Sequence, residues 1–461
     1  MKKLLIILPR GESIKNFVYS GITDALRKEY EVVFFSVVPN QEIKEYLISK
    51  CDDFYELNES EITNKYADEV LRILQIAHGK ILNSVTGNFR IVKADFESKK
   101  RFKSRVVRKI RKTIASFYTS QKSLIKLTNY FIKSNYSNPK VIEYEKSLKA
   151  ILPDVVFNTS HIHNVISLDL MYAVKKLKIK SATFLFSWDN LTSQGRILPG
   201  YDNYFTWNHK IKNDLLKYYS NIKKDNVFVT GTSQFDFHFD EKFIDSKEKL
   251  YDFLKIPYDK KIVLYSTGMA YYVPKEHVVV KEISKVLKKI DKNIQLVVRI
   301  YAKDNNTEYY KLRENNESIS IPDHFWELNH LTPTIKDITL FNSLINHCSI
   351  GINVASTVSL DLAILNKPII NIAFNPPGEN IYPSDYEKIY DFDHYKPIIE
   401  SGAISLAKNS GELEDQLRMY LENPKTHQIE RKKLVNDFFG AELHKDKKDI
   451  FVNIFKHLLD S

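Results

Sequence analysis

Several clusters of reactive side chains stand directly after short apolar runs in this 461-residue sequence. The most specific is Gly351-Ile352-Asn353-Val354-Ala355-Ser356-Thr357-Val358-Ser359-Leu360-Asp361, where an apolar run passes into small hydroxyl residues and then an acid. Amides and hydroxyls at Ser356 and Thr357, opening a helix, converge on an anion such as a diphosphate. Asp361, about one turn further on, can accept from a ribose diol or pair with a neighbouring lysine. Ser266-Thr267-Gly268 ends another run, and Gly268 allows close backbone approach to a phosphate. Arg299 ends a third, where a guanidinium can grip a diphosphate with two nitrogens or form a structural salt bridge.

A second group of clusters offers proton transfer and polyol binding. In Asn158-Thr159-Ser160-His161-Ile162-His163-Asn164, His161 is a candidate general base, since imidazole titrates near neutral pH. Thr159 and Ser160 equally suit a helix cap with the histidines merely nearby. Ser187-Trp188-Asp189-Asn190 supplies a flat apolar face beside a carboxylate and an amide. Asp189 is the alternative base, and an Asx turn around a core Trp188 is the competing reading. Pro9-Arg10-Gly11-Glu12-Ser13 has one glycine where a dinucleotide fingerprint needs three, which disfavours NAD or FAD. Its amides still suit an anion or a hydroxyl-rich ligand, or simply a tight turn.

The elements that must carry these clusters alternate in type. Lys3 to Leu8 and Glu31 to Val38 read as strands around a helix from Ile14 to Lys28, a parallel βαβ unit. Residues 60 to 150 are helical in period and poor in Gly and Pro, and read as an insertion. Strands follow at 153–157, 181–186, 202–206 and 226–230. A second α/β half begins near 260, with strands at 261–266, 295–300, 349–354 and 368–373. The tail from Glu412 to Leu459 is helical. The expected fold is α/β, with two Rossmann-like doubly wound domains and a helical insertion in the first. The domains are 1–240, 241–410 and a set of C-terminal helices at 411–461. Doubly wound sheets bind ligands at their carboxyl edges, here expected to face a common cleft.

Composition narrows the class further. The aromatic content of 12% and 43% hydrophobic residues exclude a largely disordered chain. Cys51 and Cys348 have no metal-site or disulfide-framework spacing. The apolar run after Lys3 is too short for a signal peptide, and no run spans a membrane, so the expectation is cytoplasmic. The net charge of +11 is local. Residues 99–113, KKRFKSRVVRKIRKT, hold nine basic residues and no acid, leaving about +2 elsewhere. Phe102, Val106, Ile110, Ile114 and Phe117 fall on one helical face. Such a helix suits an anionic membrane surface, or it packs its stripe on its own domain. No nucleic-acid-binding motif accompanies it.

Four segments carry a resemblance: FSWDNLTSQGR (186–196), VTGTSQFD (229–236), NVASTVSLDLAILNKPIINIAF (353–374) and FDHYKPIIESGAI (392–404). Over residues 153 to 400 the chain resembles bacterial glycosyltransferases of the two-Rossmann GT-B type that build surface polysaccharides. The third segment is also similar to the nucleotide-binding segment of sugar epimerases and polyol-phosphate transferases. The resemblance implies a nucleotide-sugar donor held by Gly268, Arg299, Ser356, Thr357 and Asp361. It implies an acceptor, a lipid-linked glycan, near Arg10, Gly11 and Trp188, with His161 or Asp189 as base. It implies neither cofactor nor metal, because a helix dipole and basic side chains stabilise the leaving diphosphate. The expected function is therefore a glycosyltransferase, cytoplasmic and peripheral at the inner face of the cell membrane. A nucleotide-polyol phosphotransferase, a nucleotide-sugar epimerase and an inactive membrane-surface binding protein are the alternatives.

Overall fold

Runs such as KLLIIL at Lys3–Leu8 and EVVFFS at Glu31–Ser36 show no polar alternation, as suits strands covered on both faces of a parallel sheet. The computed structural model describes residues 1–58, 65–99, 102–162, 164–304, 306–314 and 316–460. The chain forms two units: one of residues 1–234, 329–332 and 441–461, the other of residues 235–328 and 333–440.

The first unit holds a seven-stranded sheet. Its spatial order is Asp53–Glu56, Glu31–Ser36, Lys3–Leu8, Val155–Asn158, Lys180–Phe184, Asn203–Thr206, Val227–Val229. Every pairing is parallel. The strand order reverses between Lys3–Leu8 and Val155–Asn158, which makes the carboxyl ends of these two strands the topological switch point. The single helix expected over 14–28 is broken. Ile14–Tyr19 is a wider, π-type segment, and Gly21 at φ 79° supplies the left-handed residue before Ile22–Arg27.

Among the described residues the insertion forms five helices: Lys65–Leu82, Val85–Ser98, Phe102–Ala115, Gln121–Ser134 and Pro139–Ile151. Serine and asparagine caps start three of them. Ser84 accepts from the Gly87 amide, Ser120 from Ser123, and Asn138 from Lys140 just before Pro139. Lys100 and Arg101, part of the basic stretch, lie outside the described residues, as does His163. Arg196 fastens two of these helices to the loop after Lys180–Phe184. Its amide donates to Gln75 Oε1 (2.7 Å), its Nε to Thr128 Oγ1 (2.9 Å), and its guanidinium lies 5.1 Å from the Tyr219 ring centroid. Beside it His78 is buried, and burial and the Arg196 charge push its imidazole down to about 3.

The C-terminal helices do not stand as a set of their own. Lys447–Asp460 completes the first unit by driving Phe451 and Phe455 into its sheet. The Phe451 ring lies 5.6 Å from Phe17, 5.9 Å from Phe157 and 5.5 Å from Phe205, and Phe455 lies 5.3 Å from Phe157. The other tail helices, Ser410–Glu422 and Gln428–Phe439, belong to the second unit.

The second unit has a six-stranded parallel sheet in the order Ile319–Ser320, Ile294–Arg299, Lys261–Ser266, Ile350–Asn353, Ile369–Ile372, Ser405–Ala407. Its switch point lies between Lys261–Ser266 and Ile350–Asn353. Fully buried Arg431 ties Gln428–Phe439 to this unit: Nε donates to Asn366 Oδ1 (3.0 Å), Nη1 to the Thr426 carbonyl (2.7 Å) and Nη2 to the Pro424 carbonyl (3.1 Å). The α/β class with two doubly wound sheets and a helical insertion in the first is thus as expected.

The aromatic plug yields a test. Phe451→Ala removes a ring packed against Phe17, Phe157 and Phe205 and should cost about 3–5 kcal/mol of stability. Ile429→Ala, on an exposed side chain, should change stability by less than about 0.5 kcal/mol. Urea unfolding of the two variants measures both, and equal midpoints would disprove the plug.

Candidate functional site

The carboxyl edge of the second sheet is shaped by one buried amide. Asn353 Oδ1, at the end of its strand, accepts from the Ser356 amide (3.1 Å), the Ser359 hydroxyl (3.1 Å) and Asn371 Nδ2 (3.0 Å). The Tyr395 hydroxyl closes the network, 2.8 Å from Ser359 Oγ and donating to Asn371 Oδ1 at 2.7 Å. The loop so held turns through Ala355 at φ 42°, a left-handed conformation that strains a residue with a Cβ. Ser356 and Thr357 follow, half-buried, and helix Val358–Ile364 begins. These are the hydroxyl residues that the sequence singles out, and the structure sets them at the switch point.

Asp361 lies in the first turn of that helix and is buried. No lysine takes it: His238 Nε2 lies 2.7 Å from Asp361 Oδ1, and both side chains are almost fully enclosed. His238 Nδ1 has no hydrogen-bond partner among the described residues. The carboxylate expected to meet a ribose thus holds an imidazole instead. His238 escapes a sequence reading because it is 123 positions from its partner. The only signal is its place two residues beyond the VTGTSQFD segment.

The other residues of the second unit are similarly engaged. Arg299 Nη2 donates to Asp337 Oδ2 at 2.6 Å, and its guanidinium lies 5.1 Å from the Phe341 centroid. Burial raises the Asp337 carboxyl, but the Arg299 charge, Phe325 amide and Trp326 indole bring it below its ordinary value. The salt-bridge alternative for Arg299 is therefore the geometry observed. The Gly268 amide donates to Glu276 Oε2 (2.8 Å), and Tyr265 OH to Glu276 Oε1 (2.7 Å). Burial pushes Glu276 up to about 8, against the pull of these two donors. Glu276 was not anticipated, because in sequence it is one more acid at the start of a helix.

In the first unit the predicted residues lie at or near the switch point. His161 is buried, with Nδ1 3.3 Å from both the Phe184 carbonyl and the Phe186 amide, and burial lowers its pKa to about 4. It is a neutral imidazole occupied by backbone. Thr159 Oγ1 donates to the Ile7 carbonyl (2.7 Å), tying its loop to the first strand. Asp189 accepts from Ser193 Oγ (2.5 Å) and Asn190 Nδ2 (3.3 Å), while Asn190 Oδ1 takes the Ser187 amide (2.8 Å). Trp188 is buried, and Asp189 makes no side-chain capping bond to the short helix that follows it. Arg10 pairs with Glu12. Gly11 packs so tightly that a Cβ there would lie 2.0 Å from Thr332 Oγ1. Among the described residues no group of three His, Cys, Asp or Glu stands together to hold a metal ion.

No protein-family model matches the chain, and no curated protein matches it in sequence. Solved structures do match in fold. A UDP-GlcNAc 2-epimerase from Neisseria meningitidis, bound to UDP-GlcNAc, superposes with a TM-score of 0.58 at 13% identity, covering 99% of this chain and 100% of that one. The UDP-GlcNAc 2-epimerase of Methanocaldococcus jannaschii, in complex with UDP-GlcNAc and UDP, gives 0.53 at 17%, covering 99% of each. A glycosyltransferase from Rickettsia africae gives 0.51 at 14%, covering 99% of this chain and 98% of that one. At these identities the likeness establishes the two-Rossmann fold. It also corrects the expected glycosyltransferase function, since UDP-GlcNAc 2-epimerases recur among the similar structures. The segment 353–374 that carried the resemblance is similar in both enzyme classes and could not separate them.

Glu276 makes stability depend on pH in a defined direction. Its folded pKa of about 8 lies above the ordinary carboxylate value. Between roughly pH 4.5 and 8 the folded state therefore binds more protons, and stability falls as pH rises through that window. Glu276→Gln keeps an acceptor for Gly268 and removes the titration. Its melting temperature relative to the parent should climb from pH 5 to pH 8. A pH-independent difference would refute the buried protonated acid.

Proposed function

We propose that the chain is a nucleotide-sugar epimerase acting on a UDP-linked N-acetylhexosamine. The observation that carries this reading is the enclosed His238–Asp361 pair beside the pinned loop at Ala355–Thr357. Inverting the carbon that bears the acetamido group by proton transfer needs a base for its proton and an outlet for the electron pair of the broken C–H bond. Expulsion of UDP from the neighbouring anomeric carbon takes that pair, and return of UDP with a proton delivered to the opposite face restores the sugar. A positioned acid or base is therefore required. Asp361 holds one ring nitrogen of His238 and orients the imidazole, leaving Nδ1 to exchange a proton. The Ser356 amide is taken by Asn353, and the hydroxyls of Ser356 and Thr357 bind the diphosphate. Buried Asn353 fixes those groups before ligand arrives, so little ordering entropy remains to be lost on binding. Gly268, in the loop after the neighbouring strand Lys261–Ser266, is held by Glu276 at the start of the following helix, and its loop completes the phosphate side of the site. The likeness to UDP-GlcNAc 2-epimerases over nearly the whole chain supports the substrate class.

The test is incubation with UDP-GlcNAc in deuterated water, followed by proton NMR. The expected result is a second set of sugar signals and deuterium at the inverted carbon. His238→Ala and Asp361→Asn should lower kcat by about 10²–10⁴-fold while UDP still binds. Ser356→Ala together with Thr357→Ala should instead weaken UDP binding by about ten-fold or more. Absence of exchange with every UDP-, GDP- and CDP-linked sugar tried would sink the epimerase reading. Full exchange by the His238 variant would remove that residue's role.

A further inference from the structure

Helix Phe102–Ala115 is attached to its unit by the charged face and presents the apolar one outward. Arg108, Arg111, Lys112 and Ala115 point inward. Arg111 grips Glu69 with two nitrogens at 2.7 and 2.5 Å, Arg108 Nε donates to Asp95 (2.5 Å), and Lys112 to the other Asp95 oxygen (2.7 Å). Ala115 is fully buried among them. At 100° per residue, Phe102, Val106, Ile110 and Phe117 project from the opposite side. They are 74%, 41%, 54% and 77% exposed. The sequence left open whether this stripe packs on its own domain; in the structure it does not.

Lys103, Arg105 and Lys109 flank the stripe and are exposed. Lys103 and Lys109 form no ion pair with any described residue, and the Arg105 guanidinium lies over the Phe102 ring at 5.5 Å. Two aromatic and two aliphatic side chains in one exposed row, edged by cations, match a surface that is apolar below and anionic above. A second copy of the chain fits poorly, because stripe-to-stripe pairing about a twofold axis would bring these cations together. Among the described residues no helix is long and apolar enough to cross a membrane, so contact of this kind is interfacial. We propose that helix Phe102–Ala115, with Phe117, seats the chain on an anionic lipid surface. The proposal does not depend on the epimerase reading, since it uses none of the residues of that site.

The experiment is co-sedimentation of the full chain with vesicles of phosphatidylcholine alone or mixed with phosphatidylglycerol. The parent should bind the mixed vesicles, less as salt rises, and should leave the neutral ones unbound. Lys103→Ser and Lys109→Ser should each lower the partition coefficient by about five-fold. The triple variant Phe102→Ser, Ile110→Ser, Phe117→Ser should abolish binding with an unchanged circular dichroism spectrum, since none of the three packs inside. Arg108 and Arg111 are left intact because they hold the helix in place. Equal binding to neutral vesicles, no binding at all, or a triple variant that binds like the parent would overturn the proposal. So would a dimer in sedimentation velocity that the triple variant abolishes.

Discussion

Parallel strands cannot be joined by tight turns, and that constraint governs this chain from end to end. Each strand must leave at its carboxyl end, cross a face of the sheet through a helix or longer connection, and re-enter at the amino end. Both faces are thereby covered, which is why central strands such as Lys3–Leu8, Glu31–Ser36 and Lys261–Ser266 are apolar along almost their whole length. The loops at one edge of each sheet all follow a strand carboxyl end. Where the strand order reverses, two such loops diverge and leave room for side chains between them.

The two switch points use that room differently. In the first unit, polar groups after the strands are spent on the protein itself: Thr159 on Ile7, Asp189 on Ser193, Arg10 on Glu12. In the second, Asn353 serves three donors at once and so forces Ala355 into a backbone conformation it would not choose. Conformational strain held by a buried amide oxygen with three donors is characteristic of a loop shaped for something other than stability. Arg299 and Asp337, enclosed nearby, act instead as a brace that fixes the chain at Phe325 and Trp326.

Much of this was legible in the sequence. Apolar runs such as IVLYS, LVVR and IINI located the second sheet, and the change from them to hydroxyl residues located Ser356 and Thr357. What pairs across the sequence was not legible. Nothing local to Asp361 announces His238, and nothing near Arg299 announces Asp337. The basic helix shows the limit clearly. Its periodicity separated a charged from an apolar face, but which face docks depends on Glu69 and Asp95, one of them over 30 residues upstream in another helix. Gly21 likewise ended a helix that hydrophobic period alone carried on to residue 28.

The return of Lys447–Asp460 to the first unit sets an order on synthesis. The strands of the first sheet leave the ribosome before the second unit, yet Phe157 and Phe205 wait for Phe455 until residues 447–460 have been translated. The second unit, whose residues end at 440, has all its parts before the first one does. Translation and completion therefore run in opposite directions, and the first sheet keeps an open aromatic surface of the kind chaperones hold while residues 235–446 are made.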